Sequence, residues 1–131
     1  MSRREIREQI FKLLFRIEFH QGEELPEQLA LSLEDMEHAS EADLEYIRTK
    51  AEDIRNHITE IDAMVNEKSE KWKTNRMAKA ELAIIRLGVY EMKFEEDIPV
   101  SVAINEAVEL AKAYGAENGP AFVNGVLAKF V

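Results

Sequence analysis

Arg3, Arg4 and Arg7 stand within the first seven residues of a 131-residue chain whose formal net charge is -9. A guanidinium is a permanent cation with a planar fork of donors, so the chemistry open to the three is pairing with anions. Five cations face three carboxylates over residues 1–20, three face thirteen over 21–66, and nine face ten over 67–131. The excess acid is concentrated in the second block, and the first carries the cationic pole. A chain that bound nucleic acid nonspecifically by charge would be basic overall. Any polyanion must therefore be met here by a short, positioned group of arginines.

The other reactive side chains do not assemble into a catalytic site. His20, His38 and His57 lie at unrelated spacings and read as surface or rim histidines. Asp35 with His38 makes one carboxylate-x-x-His pair, whereas a bundle di-metal site needs a second pair and two more inward carboxylates. A P-loop, a Rossmann glycine fingerprint, a nucleophile elbow and paired zinc-ligand histidines do not occur in the sequence. Without cysteine, disulfides, zinc-thiolate sites and thiol catalysis are excluded, which fits a reducing compartment such as the cytoplasm. No run approaches the ~18 apolar residues of a membrane span. The expectation is a cytoplasmic protein with no enzymatic activity, no cofactor, no metal and no membrane contact.

The elements that must position the arginines read as helices. Five glycines, three prolines and 33% charged residues favour long helices and few strands, so the expected class is all-α, with about seven helices. A chain of this length fits one domain that buries roughly 70% of its unfolded surface. In a first helix over about Arg3 to His20, Ile6, Ile10, Leu13, Leu14 and Ile17 form the stripe of an amphipathic helix. Phe11, Phe15 and Phe19 make a second apolar row, and at about 100° per residue the three arginines project between the two rows. Gly22 stops this helix, and Pro26 opens a shorter one over about Glu27 to Leu33.

Ser40 followed by Asp43 resembles an acidic capping box. It starts the longest regular segment, in which Leu44, Ile47, Ala51, Ile54, Ile58, Ile61 and Val65 alternate steps of three and four as a heptad seam. Such a seam requires a helical partner, from this chain or from a second copy. Residues 67–75, with mixed charge and the only tryptophan, Trp72, read as a hinge between subdomains 1–66 and 76–131. Arg76 to Met92 is apolar at nearly every position and predicts a central buried helix. Residues 95–97 and Pro99 break it, Ser101 is the expected cap of the next helix through Tyr114, and Gly115 follows its end. A last helix begins near Gly119-Pro120, with Phe122, Val123, Val126, Leu127 and Phe130 on one stripe.

Three segments are specific enough to carry a resemblance: Glu81-Leu-Ala-Ile-Ile-Arg-Leu-Gly-Val-Tyr-Glu91, Ile98-Pro-Val-Ser-Val-Ala-Ile-Asn-Glu-Ala-Val-Glu-Leu-Ala-Lys-Ala-Tyr-Gly115 and Phe122-Val-Asn-Gly-Val-Leu127. In density and order they resemble the NusB family of bacterial transcription antitermination proteins. Arg3-Arg4-Glu5-Ile6-Arg7-Glu8 followed by Leu14-Phe15 is similar to that family's arginine-rich RNA-binding start. Residues 21–66 match only in helical pattern. The resemblance implies an all-helical domain of two small bundles and a non-catalytic adapter. Such an adapter binds the boxA element of ribosomal RNA leader transcripts together with the ribosomal protein NusE. Other Nus factors and RNA polymerase then join it in an elongation complex that reads through terminators. A related helical domain precedes certain ribosomal RNA methyltransferases, but no methyltransferase portion follows Val131, and the chain is expected to stand alone.

Carried over residue by residue, the resemblance assigns RNA contact to Arg3, Arg4, Arg7, Phe15, Glu81 and Phe122. The arginines would neutralise phosphates and make bidentate contacts to acceptor edges of unstacked bases. Ordinary solvation is the alternative, although positive charge near a helix N-terminus opposes the macrodipole by a few tenths to ~1 kcal/mol, which favours function. Phe15 stands where the family often has tyrosine, so ring packing persists without a hydroxyl. Phe122 would stack on a base or pack in the core. Glu81 would orient a guanidinium, accept from a base or be a plain exposed helix glutamate. Asn124 is read as a backbone contact and Gly125 as a point of close helix approach. The arginine run is interrupted by Glu5 and Ile6 and is thinner than in many relatives, which implies weak RNA affinity without the partner protein. A protein-binding helical adapter lacking intrinsic RNA affinity is the alternative function, and monomer and homodimer both remain open.

Overall fold

A computed structural model of the chain describes residues 1–17 and 39–131. The helix expected over Glu27 to Leu33, the stop at Gly22, Phe19, His20 and the Asp35–His38 pair lie outside the described residues. What is described is all-α: six α-helices and one short 3-10 turn. They belong to two compact units, Met1–Arg55 and Asn56–Val131.

In the first unit, α1 spans Arg3–Ile17 and α2 spans Glu41–Asn56. Ser2 begins α1 through a capping box that the sequence reading did not mark. Its hydroxyl accepts from the Glu5 backbone N–H at 3.1 Å, and the Glu5 carboxylate accepts from the Ser2 N–H at 3.4 Å. Ile10, Leu13 and Leu14 are buried as expected, and so is Phe11 at 2% exposure. The two apolar rows of α1 therefore merge into one broad face. Its Phe11 and Phe15 rings lie 6.1 Å apart, tilted by 37°. The expected cap of α2 is present, with Ser40 Oγ accepting from the Asp43 N–H at 3.1 Å. Asp43 also takes the terminal ammonium of Met1 at 3.1 Å. That ammonium, which bonds the carboxylate, holds its pKa below the ordinary value.

The heptad seam does not run through one helix. It is divided at His57 between α2 and α3, which spans Ile58–Lys68. The His57 ring leaves the helical path to lie 4.6 Å from the Phe94 ring and 6.4 Å from Tyr90. Ile47, Ala51, Ile54, Ile61 and Val65 are all buried within this single chain, so the seam is satisfied without a second copy. The boundary between compact units falls at this break, ahead of residues 67–75.

Those residues lie inside the second unit as a tied loop. Asn66 bridges it with both ends of its amide, Nδ2 donating to Thr74 Oγ1 at 3.2 Å and Oδ1 accepting from the Thr74 N–H at 2.8 Å. Lys73 Nζ donates to the carbonyl oxygens of Asn66 and Ser69, each at 2.8 Å. This places a cation on the orphan carbonyls at the end of α3, where charge and dipole agree.

The 3-10 turn Thr74–Arg76 leads into α4, Lys79–Phe94, followed by α5, Val100–Tyr114, and α6, Gly119–Ala128. Every residue of α4 from Glu81 to Glu91 is buried, as a sequence apolar at nearly every position predicts, and the burial extends to the charged Glu81, Arg86 and Glu91. Helices α3, α5 and α6 pack around it. Ala103, Ala107 and Ala111 give α5 a flat inner face, and Gly88 lets α6 come close to α4. A Cβ built at Gly88 would stand 2.8 Å from Leu127 Cδ1 and 3.6 Å from the Ala107 Cβ. Gly125, expected to serve that purpose, has nothing within 4 Å of such a Cβ. Nothing in the structure explains the glycine there.

Ser101 is not the cap of α5 but an exposed residue in its first turn. Pro99 holds the cap position with φ -59° and ψ 141°, and its carbonyl accepts from the Val102 and Ala103 N–H groups at 3.0 Å. The proline ring fixes φ and so sets the chain into the helix two residues earlier than a cap at Ser101 would. Asp62 and Arg86 tie α3 to α4 by a fork-to-fork pair, Nε to Oδ1 at 2.9 Å and Nη2 to Oδ2 at 2.7 Å. Burial pushes the Asp62 carboxyl up to about 6 and the Arg86 guanidinium down to about 10. The two charge-assisted hydrogen bonds act against that desolvation.

Candidate nucleic-acid interface

Arg3 and Arg4 are exposed in the first turn of α1, and Arg7 is half-buried one turn further on. Steps of four residues bring Arg3, Arg7, Phe11 and Phe15 into a single row along the helix, each displaced by about 40° from the last. The row passes from an exposed cation to a half-buried cation, then to a buried ring, and ends at the half-buried ring of Phe15. The capping box satisfies backbone donors at the same helix end. The Glu5 carboxylate in that box also sits where the dipole favours an anion, which offsets part of the cost of the neighbouring arginines. This arrangement can hold phosphate oxygens at the arginines and offer the edge of a ring.

Phe122 lies in the first turn of α6 in the second unit and is half-buried. Its backbone N–H donates to the Asn118 carbonyl at 3.1 Å. It is neither an exposed platform nor a full member of the core, which consists on this helix of Val123, Val126 and Leu127.

Glu81 is a correction, because it is not a surface glutamate. At 5% exposure it is buried in the first turn of α4, and its Oε1 accepts from the Ala116 backbone N–H at 2.7 Å. The same oxygen would stand 2.7 Å from a Cβ at Gly115 and 2.8 Å from one at Gly119. Gly115 has φ -86° and ψ 176°, an extended backbone open to any residue. It serves to admit the carboxylate rather than to adopt a left-handed turn. Glu81 thus fixes the α5–α6 connection from a helix away and stands near the start of α6, whose cap residue Asn118 makes no side-chain bond. Both glycines were visible in the sequence, but their common partner 34 and 38 positions upstream was not. The Asp62–Arg86 pair, separated by 24 positions, likewise left no local signal.

Among the described residues no cluster of His, Asp or Glu could hold a metal ion, and no helix is long and apolar enough to cross a membrane.

Comparison with known proteins matches residues 4–131 to the NusB family model. The chain is 58% identical over 130 residues to the transcription antitermination protein NusB of Agathobacter rectalis, covering 99% of each chain. Among solved structures it superposes on Thermotoga maritima NusB with a TM-score of 0.89 at 38% identity, covering 98% of this chain and 89% of the other. It also superposes on a chain from the crystal structure of the antitermination factors NusB and NusE in complex with dsRNA, with a TM-score of 0.83 at 28% identity. That match covers 96% of this chain and 92% of the other. The arginine-headed first helix, the buried α4 and the glutamate-clamped α5–α6 junction therefore belong to a member of the NusB family of transcription antitermination proteins.

Proposed function

We propose that this chain binds the boxA element of ribosomal RNA leader transcripts jointly with the ribosomal protein NusE. With other Nus factors it then helps RNA polymerase read through terminators in the cytoplasm. The observation that carries the reading is the row of α1, in which exposed Arg3, with exposed Arg4 beside it, leads through half-buried Arg7 to the half-buried ring of Phe15. In a chain of net charge -9, diffuse attraction to RNA is unfavourable, so binding depends on these few directed contacts. Membership of the NusB family and similarity to a chain solved with NusE and dsRNA support the choice of partners.

In mechanism the chain is an adapter. Arg3, Arg4 and Arg7 neutralise phosphates and fork onto acceptor edges of unpaired bases, while Phe15 and Phe122 supply partly open ring surface. Glu81 has a supporting part, since its buried carboxylate fixes the segment from which Phe122 projects. Few contacts and a repulsive body give weak affinity alone, and NusE adds the remainder by offering a second surface to the same RNA.

Titration of a boxA-like RNA at several salt concentrations, with and without NusE, tests this. Three phosphate contacts on a single strand contribute roughly -2 to the log-log salt slope, at about -0.7 per contact. Replacing Arg3, Arg4 and Arg7 together removes that contribution. If RNA does not saturate the protein under either condition, or the triple variant binds RNA and NusE as before, the chain is a protein-binding adapter instead.

A further inference from the structure

Residues 68–79 contain five cations, Lys68, Lys71, Lys73, Arg76 and Lys79, against the single carboxylate Glu70, a local net of +4. This exceeds the +2 of the first twenty residues, and an adjacent acidic stretch conceals it when charge is summed over long blocks. All five cations are exposed. At their centre is Trp72, the only tryptophan, with 44% of its surface open to water.

The loop that carries these residues is built rather than slack. The Asn66 amide bridges to Thr74 across its base, and Ser69 is buried beneath Trp72, accepting from the Trp72 N–H at 3.3 Å and donating to its carbonyl. Lys73 is committed to the α3 carbonyls. Several surface cations elsewhere have carboxylates beside them: Arg48 has Glu45 and Glu52, Lys12 has Glu8 and Lys112 has Glu109. Among the described residues Lys71 and Arg76 carry no such pair. A fixed loop thus presents an open indole flanked by unneutralised cations on an otherwise anionic protein, the pattern of a stacking platform in an electrostatic groove.

We propose that this loop is a second contact for single-stranded RNA, with a base stacked on Trp72 and phosphates held by Lys68, Lys71 and Arg76. It rests on the RNA-binding reading above and adds a contact carried by the second unit alone. An acidic protein surface could use the same cations and cover the ring, but a lone ring among closely spaced cations on a short loop suits one stacked base with its adjacent phosphates, and RNA is the favoured occupant.

The single tryptophan supplies its own probe. A labelled single-stranded RNA is titrated into the full chain at low salt, with RNA anisotropy and Trp72 emission read together. The expected result is quenching of Trp72 that follows the anisotropy curve. Trp72→Ala lowers affinity roughly 5- to 100-fold, and Lys71→Gln with Arg76→Gln makes the salt slope shallower by about 1.4. These side chains are exposed, so circular dichroism of the variants should match that of the parent. Binding without quenching, with an unchanged slope in the double variant, overturns this inference and leaves the α1 interface standing. No anisotropy change in the parent protein, with NusE or without it, overturns both. Equal quenching by polyglutamate reassigns the loop to an acidic polypeptide and overturns the choice of RNA.

Discussion

Two glycines in helical segments allow one substitution to be tested in opposite directions. Gly88→Ala and Gly125→Ala each gain about 1 kcal/mol of helix propensity, because alanine loses less backbone freedom on folding. At Gly125 nothing lies within 4 Å of the new methyl group, so the variant keeps that gain. At Gly88 the methyl meets Leu127 Cδ1 at 2.8 Å and Cδ2 at 3.2 Å. Leu127 is fully buried and has no free side to move into. Overpacking a well-filled core costs about 1 to 3 kcal/mol, which outweighs the propensity term and leaves Gly88→Ala destabilised by up to about 2 kcal/mol. The two variants should differ by roughly 1 to 3 kcal/mol, or on the order of 1 M in urea midpoint at a slope of about 1–3 kcal/mol per M. Urea unfolding followed by helix signal measures this directly. A double-mutant cycle with Leu127→Ala then isolates the contact, since the methyl at position 88 should cost less once Leu127 is shortened. Equal stabilisation by both substitutions would refute the close approach of α6 to α4 at Gly88.

Two further perturbations probe the buried charges. Glu81→Ala removes the acceptor of the Ala116 N–H and should cost about 1 to 3 kcal/mol. Glu81→Gln keeps an acceptor in place and should recover most of the urea midpoint; equal losses in both variants would mean that the charge, not the hydrogen bond, holds the junction. Arg86→Met leaves Asp62 without its partner and should cost about 3 to 5 kcal/mol at pH 7. Burial raises the folded-state Asp62 pKa from 3.8 to about 6, so this group's contribution is present at low pH and lost as the pH rises through that value. The deficit of Arg86→Met should therefore shrink between pH 7 and pH 5, and a deficit that grows toward pH 5 would contradict the assignment.

Periodicity made most of the helices legible. The stripe of α1, the apolar saturation of α4 and the Ser40 cap depend on neighbours within a few residues, and the structure has them where the pattern predicts. The division at His57 was hidden because Ile54, Ile58 and Ile61 keep helical spacing across it. At the interruption the His57 ring lies against rings at positions 90 and 94, more than thirty residues away. Ser101 had the right chemistry for a cap, but the backbone of Pro99 reached the position first. Residues 67–75 read as a hinge because their polar groups have no visible partners in sequence; once Asn66 and Thr74 meet, those groups hold the loop closed.

For the interface, residue type and order alone identified the arginine pole, its setting in an acidic chain and the family it resembles, since charge and motif are properties of the string. Which polar groups face water was decided only by tertiary packing. Glu81 became an internal clamp because two glycines from a distant loop left room for its carboxylate. Trp72 remained open because a short, internally bonded loop turned it outward. Solvation and desolvation are set by what surrounds a side chain in space, and that is fixed only when helices distant in sequence pack together.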